Sequence, residues 1–292
     1  TQSVSETFVA LVPHNPIQAM ADGNVLQIIV FAILLGISLN LAGKKAEVLV
    51  QWFEGVAEVM YKLTSLVMEL APYGVFALMA YVSGEYGLSV LMPLLKVLVG
   101  VYLGCFLHAF FTIGGTITFI LKLSPVRFFK GILDALVVAY STASSSGTLP
   151  ITLRCAQDNL GVSNSISSFV LPLGATINMD GTAMYQGVAA LFIAQAYGID
   201  LTVSNYVTII LTSTLASIGS AGVPGAGLIM LTLVLKSVGL PIEGIAIIAG
   251  IDRILDMGRT TINVIGDCMV TVLVAKTENE IDLDVYSKPA VV

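Results

Sequence analysis

Charged side chains are scarce: they make up 11% of the 292 residues, against about 25% in an ordinary soluble domain. Such a chain cannot clothe a water-facing surface, so a soluble globular protein is excluded. Only two histidines occur, His14 and His108, and neither stands at a recognisable spacing from the serines. With no G-x-S-x-G, zinc or P-loop pattern either, serine hydrolysis, zinc binding and nucleotide-phosphate binding have no support. Cys105, Cys155 and Cys268 are an odd set without metal spacing; they read as small apolar residues, and no disulfide is implied. The first ~20 residues are polar and interrupted by Pro13 and Pro16, so no secretory signal is visible. Thirteen basic residues face nineteen acidic ones, and neither a nucleic-acid partner nor a cofactor is expected.

What is abundant is apolar sequence: 56% of residues are hydrophobic and the mean hydropathy is +0.92. Runs near 25–43, 52–82, 89–121, 160–197 and 245–275 have about the ~20 residues needed to span a bilayer, or more. Two further apolar stretches, about 128–155 and 205–238, are interrupted by Ser, Gly and Pro. Counted by loop, Lys44, Lys45, Lys122, Arg127, Lys130, Arg154 and Lys276 can share one side, which is predicted to be cytoplasmic. The Glu85 and Asp200 loops and Lys236 then lie outside. Glu278, Glu280, Asp282 and Asp284 make an acidic tail, read as a solvated terminus. Glu54, Glu58, Lys62 and Glu69 suit an interfacial helix better than a proton path.

The last apolar run carries Asp256, Arg259, Thr260, Asn263 and Asp267 on one helical face, within about 60° on the wheel, and Asp252 joins them. Ionisable side chains at membrane depth are costly unless they face protein or water, so the default reading is a ligand or ion site. A guanidinium can grip a carboxylate through two parallel hydrogen bonds, and a neighbouring carboxylate can hold an ammonium. A ligand with both groups is an amino acid with an acidic side chain. Two alternatives stay open: Arg259 and Asp256 as a permanent structural ion pair, and Asp180, Asp267 and their asparagines as a network tying helices together. Arg253 either reaches the interface or lines the cavity.

A shift of 78 residues lays Asn178-Met179-Asp180-Gly181-Thr182 on Asp256-Met257-Gly258-Arg259-Thr260 and Gly147 on Gly225. Each copy reads as an interrupted hydrophobic pair followed by a long span with a polar or broken centre. About 14 helical residues per arm cover only ~21 Å of a ~30 Å core, so the interrupted pairs are predicted to be re-entrant hairpins. By the charge count they enter from opposite sides, making an inverted repeat whose tips meet near the midplane. The expected fold class is an all-α multi-pass membrane protein. Taken alone, the small residues at the tips (Gly222, Gly225, Gly227) fit helix packing as well as binding. Asn178, Asp180, Asn263 and Asp267 offer the hard oxygen ligands that sodium takes.

SSSGTLP (144–150), LPLGATINMDGT (171–182), SIGSAGVPGAG (217–227) and GIDRILDMGRTTINVIGD (250–267) closely resemble the glutamate/aspartate transporters of the dicarboxylate/amino acid:cation symporter family. Weaker similarity extends from about residue 5 to 278. The resemblance implies homotrimers in which a transport domain carries its cargo across the membrane against a fixed scaffold. It also implies that Arg259 holds the substrate's side-chain carboxylate and Asp256 its α-amino group. Thr182, Thr260 and Asn263 would complete the pocket, closed by Ser144, Ser145 and the backbone from Val223 through Pro224, Gly225 and Ala226 to Gly227. One sodium would meet Gly174, Asn178, Asn263 and Asp267, and a second Thr176, Ser217, Ile218 and Ser220. Asn178 and Asp180 would help with a third. The second hairpin resembles an extracellular gate.

Asp256 favours an amino acid over a plain dicarboxylate, which has no ammonium to bind, and Asp267 favours sodium over proton coupling. Relatives place an arginine at the position of Ala143 or of Met257, and Arg253 is expected to substitute for it. Relatives also carry three spans before the region matching residue 5, one of which supplies part of the third sodium site, so the sequence is expected to be a fragment. The domains expected are scaffold spans over 1–82, a transport domain over 83–276 and the cytoplasmic tail over 277–292. The activity expected is sodium-coupled import of L-aspartate or L-glutamate by alternating access. Alternatives are proton-coupled transport of glutamate or a dicarboxylate, an anion channel or receptor using the same pocket, and an intramembrane aspartyl protease.

Overall fold

The computed structural model of the chain describes residues 12–22, 25–70 and 91–288, with isolated positions between 73 and 84. The described residues are helical apart from turns and one bridge, Val162 to Ile281. They fall into two compact units, Thr1–Glu69 and Leu70–Val292. The end of the second apolar run and the expected 82/83 boundary lie outside the described residues.

In the first unit Asn15 caps α1 (Pro16–Ala21), accepting from the N–H of Ile17 at 3.0 Å and of Gln18 at 3.2 Å. Helix α2 (Val25–Ala42) is apolar on every side, as a membrane helix is. It stops at Gly43, whose φ of +57° a glycine reaches without strain. A short 3-10 turn leads into α3 (Glu47–Glu69), which leaves Val48, Trp52 and Val59 exposed. Its Glu58–Lys62 pair, 3.7 Å apart, lies at the surface, as expected of an interfacial helix.

In the second unit α4 (Leu91–Leu107) runs on through π-helical turns, His108–Ile113 and Thr116–Ile120. The rod Met92–Ile120 is long and apolar enough to cross a bilayer. Ser124 caps α5 (Pro125–Gly131), which leads into α6 (Leu133–Thr142). The chain turns at Ala143, which is left-handed at φ +54°, and Ser144 caps α7 (Ser145–Arg154) by accepting from Gly147 N–H at 3.0 Å. A π-helical turn, Cys155–Asn159, follows.

The apolar run 160–197 is two helices, α8 (Asn164–Ile177) and α9 (Asp180–Ala196). Between them the Asn178 side chain donates to Asp267 Oδ1 at 2.9 Å, a tertiary bond made where the helical ladder stops. Helix α10 (Val203–Ile218) opens with a reciprocal Thr202–Asn205 capping box and α11 (Ala226–Ser237) follows Gly225, at φ +78°. The last run differs from its expected form. After a 3-10 turn (Ile242–Gly244) and a short α12 (Ile245–Ala249), the long helix α13 starts only at Asp252 and runs to Thr277. Gly250 weakens a helix interior, whereas Asp252 suits a helix N-terminus. α13 packs against α4, α6, α8 and α9 at the heart of this unit.

The acidic side chains Glu278, Glu280, Asp282 and Asp284 are exposed, as their charges suggested, but the backbone that carries them is docked. Ser163 N–H donates to Glu280 O at 3.0 Å and Asp282 N–H to Gly161 O at 2.7 Å. Tyr286, on α14 (Leu283–Ser287), is buried and donates to Ser124 O at 2.9 Å. Of the four acids Asp282 caps α14, its Oδ1 accepting from the N–H of Asp284 at 2.9 Å and of Val285 at 3.1 Å. Gly161, at φ +69°, leaves no space for a Cβ beside the Asp282 carbonyl.

Candidate functional site

The polar face of α13 is buried along its length: Asp256, Arg259, Thr260, Asn263 and Asp267 are each no more than 4% exposed. Arg259 donates from Nε to Asp256 Oδ1 at 2.9 Å, and its guanidinium carbon lies 4.5 Å from the centre of the Tyr185 ring. Asp252 stands 3.8 Å from its Nη1. A second wall is Gly227, where a Cβ would collide with the guanidinium. The cation is thus held by one hydrogen-bonded acid, one aromatic face and one more distant acid.

Asp256 is engaged on both oxygens. Oδ1 also accepts from Thr260 Oγ1 at 3.1 Å, and Oδ2 accepts from Gly225 N–H at 2.7 Å, so the tip between α10 and α11 is tied to α13. The other tip is tied to the same loop: Ser144 Oγ donates to Gly222 O at 2.7 Å and Ser146 N–H to the same oxygen at 3.2 Å. Asn263 donates to Thr182 Oγ1 at 3.2 Å and accepts from Gly181 N–H at 2.9 Å, joining α13 to the first turn of α9. A cavity of about 10 Å³ lies among these elements, the room of one water molecule. Ala143 and Ser145 line it from the first tip, Met179 and Thr182 from the helix break, Val223, Ala226 and Gly227 from the second tip, and Asp256, Arg259, Thr260 and Asn263 from α13.

Of the residues expected at the substrate, Ser145, Thr182, Val223, Ala226, Gly227, Asp256, Arg259, Thr260 and Asn263 line this one cavity. Ser144 and Gly225 instead make the hydrogen bonds that hold the tips, and Pro224 lies between Val223 and Gly225 in the turn. Of the expected ion residues, Gly174, Asn178, Asn263 and Asp267 converge: a Cβ at Gly174 would stand 2.6 Å from Asp267 Oδ1, and Asn178 Nδ2 lies 3.5 Å from the Asn263 carbonyl. Among the described residues no cationic side chain pairs with Asp267. Asp180 sits at the start of α9 against His108. The other set is less joined: the Thr176 hydroxyl returns to Leu173 O at 2.9 Å and the Ser217 hydroxyl to Thr214 O at 2.8 Å. Ser220 N–H reaches Ser217 O at 3.0 Å, while Ile218 ends α10.

Arg253 reaches neither the cavity nor Asp256. Its guanidinium donates to Ser141 O at 3.1 Å and Thr142 O at 3.3 Å, the last carbonyls of α6, a favourable place for a cation. Sequence reasoning placed Asp252 on the polar face and Met179 in the repeated motif without giving either a role, and passed over Tyr185. The spacing of Asp252, four before Asp256, was a usable signal, as was the place of Met179 at the helix break; an aromatic in an apolar helix offered none.

Residues 1–277 match the sodium:dicarboxylate symporter family. The chain is 41% identical over 281 residues to a proton/sodium-glutamate symport protein of Geobacillus stearothermophilus, covering 95% of this chain and 66% of that one. It is 41% identical over 283 residues to a proton/glutamate-aspartate symporter of Escherichia coli (strain K12), covering 97% and 64%. Against an excitatory amino acid transporter of Caenorhabditis elegans the identity is 44% over 269 residues, covering 91% and 53%. The chain therefore spans between about half and two thirds of the length of these relatives. It belongs to the sodium:dicarboxylate symporter family, whose members are transporters and not enzymes.

Proposed function

We propose that this chain is part of a sodium-coupled carrier that moves L-aspartate or L-glutamate across the cell membrane by elevator-type alternating access. The observation that carries the reading is the buried Arg259–Asp256 pair at the meeting point of two helical tips and a broken helix. Arg259 takes the substrate's side-chain carboxylate. Asp256 takes the α-ammonium on Oδ2, where it competes with Gly225 N–H. A cavity of about 10 Å³ is too small for an amino acid, so the second tip has to lift for substrate to enter. Lifting breaks the Gly225–Asp256 bond and the two bonds that Ser144 and Ser146 make to the Gly222 carbonyl, at a cost of about 2.5–6 kcal/mol for one charged and two neutral hydrogen bonds.

Sodium is supported by Asp267. A carboxylate at 3% exposure, taking one amide hydrogen bond and facing no cationic side chain, is costly unless a metal cation or a proton joins it. The Asn263 carbonyl lies close by, 3.5 Å from the Asn178 amide that bonds Asp267, and is the kind of neutral oxygen a hard cation takes. Asn263 serves both sites, so binding of ion and substrate is cooperative.

The short arms support re-entrant hairpins. α6 and α7 have 10 residues each, ~15 Å, and α10 and α11 have 16 and 12, ~24 and ~18 Å, all under the ~30 Å core. The repeat is supported by contacts at its own offset, for Ser144 bonds to Gly222, 78 residues on. The reading includes a homotrimer, scaffold spans in 1–82, a transport domain over 83–276 and a cytoplasmic tail. Proton coupling is the second reading, favoured by the relatives named as proton/sodium and proton symporters.

Uptake of radiolabelled aspartate into proteoliposomes separates them. Accumulation is expected with an inward sodium gradient and not with a pH gradient alone, and Arg259→Ala should abolish it while sparing the fold. Accumulation driven by the pH gradient in sodium-free buffer would replace sodium with protons, and full uptake by Arg259→Ala would remove the proposed grip.

A further inference from the structure

His108 lies outside the cavity, on the apolar rod Met92–Ile120. Its Nε2 stands 2.6 Å from Asp180 Oδ2, with both side chains about three-quarters buried. It also opens the π-helical turn His108–Ile113 in the middle of that rod, and such turns often mark functional positions because they re-aim the side chains around them. α4 is packed on both α9 and α13 here.

Asp180 is fixed at both ends of its carboxylate: Oδ2 by His108, and Oδ1 by Gly181 N–H at 3.0 Å. That N–H is shared, because it also donates to Asn263 Oδ1 at 2.9 Å. The knot tightens at Gly266, where a Cβ would stand 2.7 Å from Asn178 Nδ2 and 3.1 Å from Asp180 Oδ2. Asn178 and Asp180 are therefore packed against α13 beside its Asn263, and the His108 side chain fastens the group to α4.

We infer that His108 is a positioning residue for sodium: it holds the Asp180 carboxylate, and through Gly181 the Asn263 amide, in the arrangement the ion requires. The inference rests on the proposed sodium coupling. Groups that orient ion ligands from behind typically change metal affinity about 10- to 100-fold when removed. A histidine that merely fills space would change stability and leave ion affinity alone.

The test is calorimetric binding of aspartate to the purified protein in lipid nanodiscs over a series of sodium concentrations, with choline as the replacement. His108→Ala should raise the sodium concentration for half-maximal affinity about tenfold, with affinity at saturating sodium little changed. His108→Gln, which keeps an N–H donor, should recover part of the shift. In an Asp180→Asn background, His108→Ala should add little, because two residues acting through one contact are not additive. A His108→Ala midpoint within twofold of the parent, or full additivity with Asp180→Asn, would overturn the inference. Should His108→Ala fail to fold, His108→Gln and its double variant with Asp180→Asn carry the same comparison. Aspartate binding by the parent that ignores sodium would instead sink the proposed function, and this inference with it.

Discussion

Adding one methyl group at Gly227 tests whether the guanidinium of Arg259 is the substrate grip. An alanine Cβ there would stand 2.5 Å from Arg259 Cζ and 3.0 Å from Nη2, and closer still to Nη1. Ordinary contact needs about 3.4 Å or more, so either the guanidinium retreats by roughly 1 Å or the first turn of α11 lifts. Lifting gives up the 2.7 Å bond from Gly225 N–H to Asp256 and frees that acid for an ammonium, whereas retreat gives up the 2.9 Å bond from Arg259 Nε to the same acid and carries the guanidinium away from the substrate carboxylate. A guanidinium so displaced loses a hydrogen bond between charged groups, worth about 1.5–3 kcal/mol, which corresponds to a roughly 10- to 150-fold loss of affinity for an acidic amino acid. The control is Gly187→Ala on α9, where a Cβ meets nothing within 4 Å. It should leave affinity unchanged and gain up to about 1 kcal/mol of helix stability. Calorimetric titration with L-aspartate at saturating sodium reads the difference. If Gly227→Ala folds and binds within threefold of the parent, the substrate is not held by a guanidinium fixed against this wall.

Three further outcomes follow from the same geometry. Asp267→Asn keeps the shape and removes the unpaired buried charge, so the protein without sodium should melt no lower than the parent, and the rise in melting temperature on adding sodium should shrink; an undiminished rise would place the ion elsewhere. Arg253→Ala frees the Ser141 and Thr142 carbonyls and should cost about 0.3–1 kcal/mol, seen as faster hydrogen exchange at the end of α6. Unchanged transport by this variant would dismiss any part for Arg253 at the tip beyond capping. Burial raises the Tyr286 phenol from its usual 10.0 to about 12, so the folded tail binds that proton more tightly than the released tail does. Docking is then intact below pH 10 and lost as pH climbs through 12; limited proteolysis should show this step in the parent and not in Tyr286→Phe.

The face of α13 was legible because burial and polarity conflict there: five polar side chains at helical spacing in an oily run have few bland explanations, and all five are buried. The break at Asn178 was legible for the same reason. What sequence could not give is anything set by a second element. Tyr185 becomes a cation-binding face only because α9 crosses α13 beside Arg259, and the role of Gly227 appears only when the guanidinium is seen against it. Charge said little about the tail, because its docking is carried by backbone groups and one tyrosine, and of its acidic side chains Asp282 acts locally, capping α14. Arg253 was visible as unpaired, but the carbonyls it caps belong to a helix more than a hundred residues earlier.

Pairs at the 78-residue offset explain why the two copies had to diverge. Ser144 bonds to Gly222, Gly181 presses on the backbone of Arg259, and Thr182 and Thr260 line the same cavity. Under the proposed inverted repeat, equivalent positions meet only near the axis relating the copies, and two full side chains cannot occupy one place. At both tight crossings a glycine stands: a Cβ at Gly222 would press on Ser146, two residues from its offset partner Ser144, and a Cβ at Gly181 would collide with the backbone of its own offset partner Arg259. The same offset relates Asn178, beside Asp267, to Asp256, beside Arg259. One copy thus keeps a neutral amide that donates to the carboxylate of Asp267, and the other carries the acid that suits an ammonium. A symmetric ancestor would offer the same chemistry on both sides of the axis. Separating ion from substrate requires a charge difference at that pair, so exchanging Asn178 and Asp256 should lose both binding functions together.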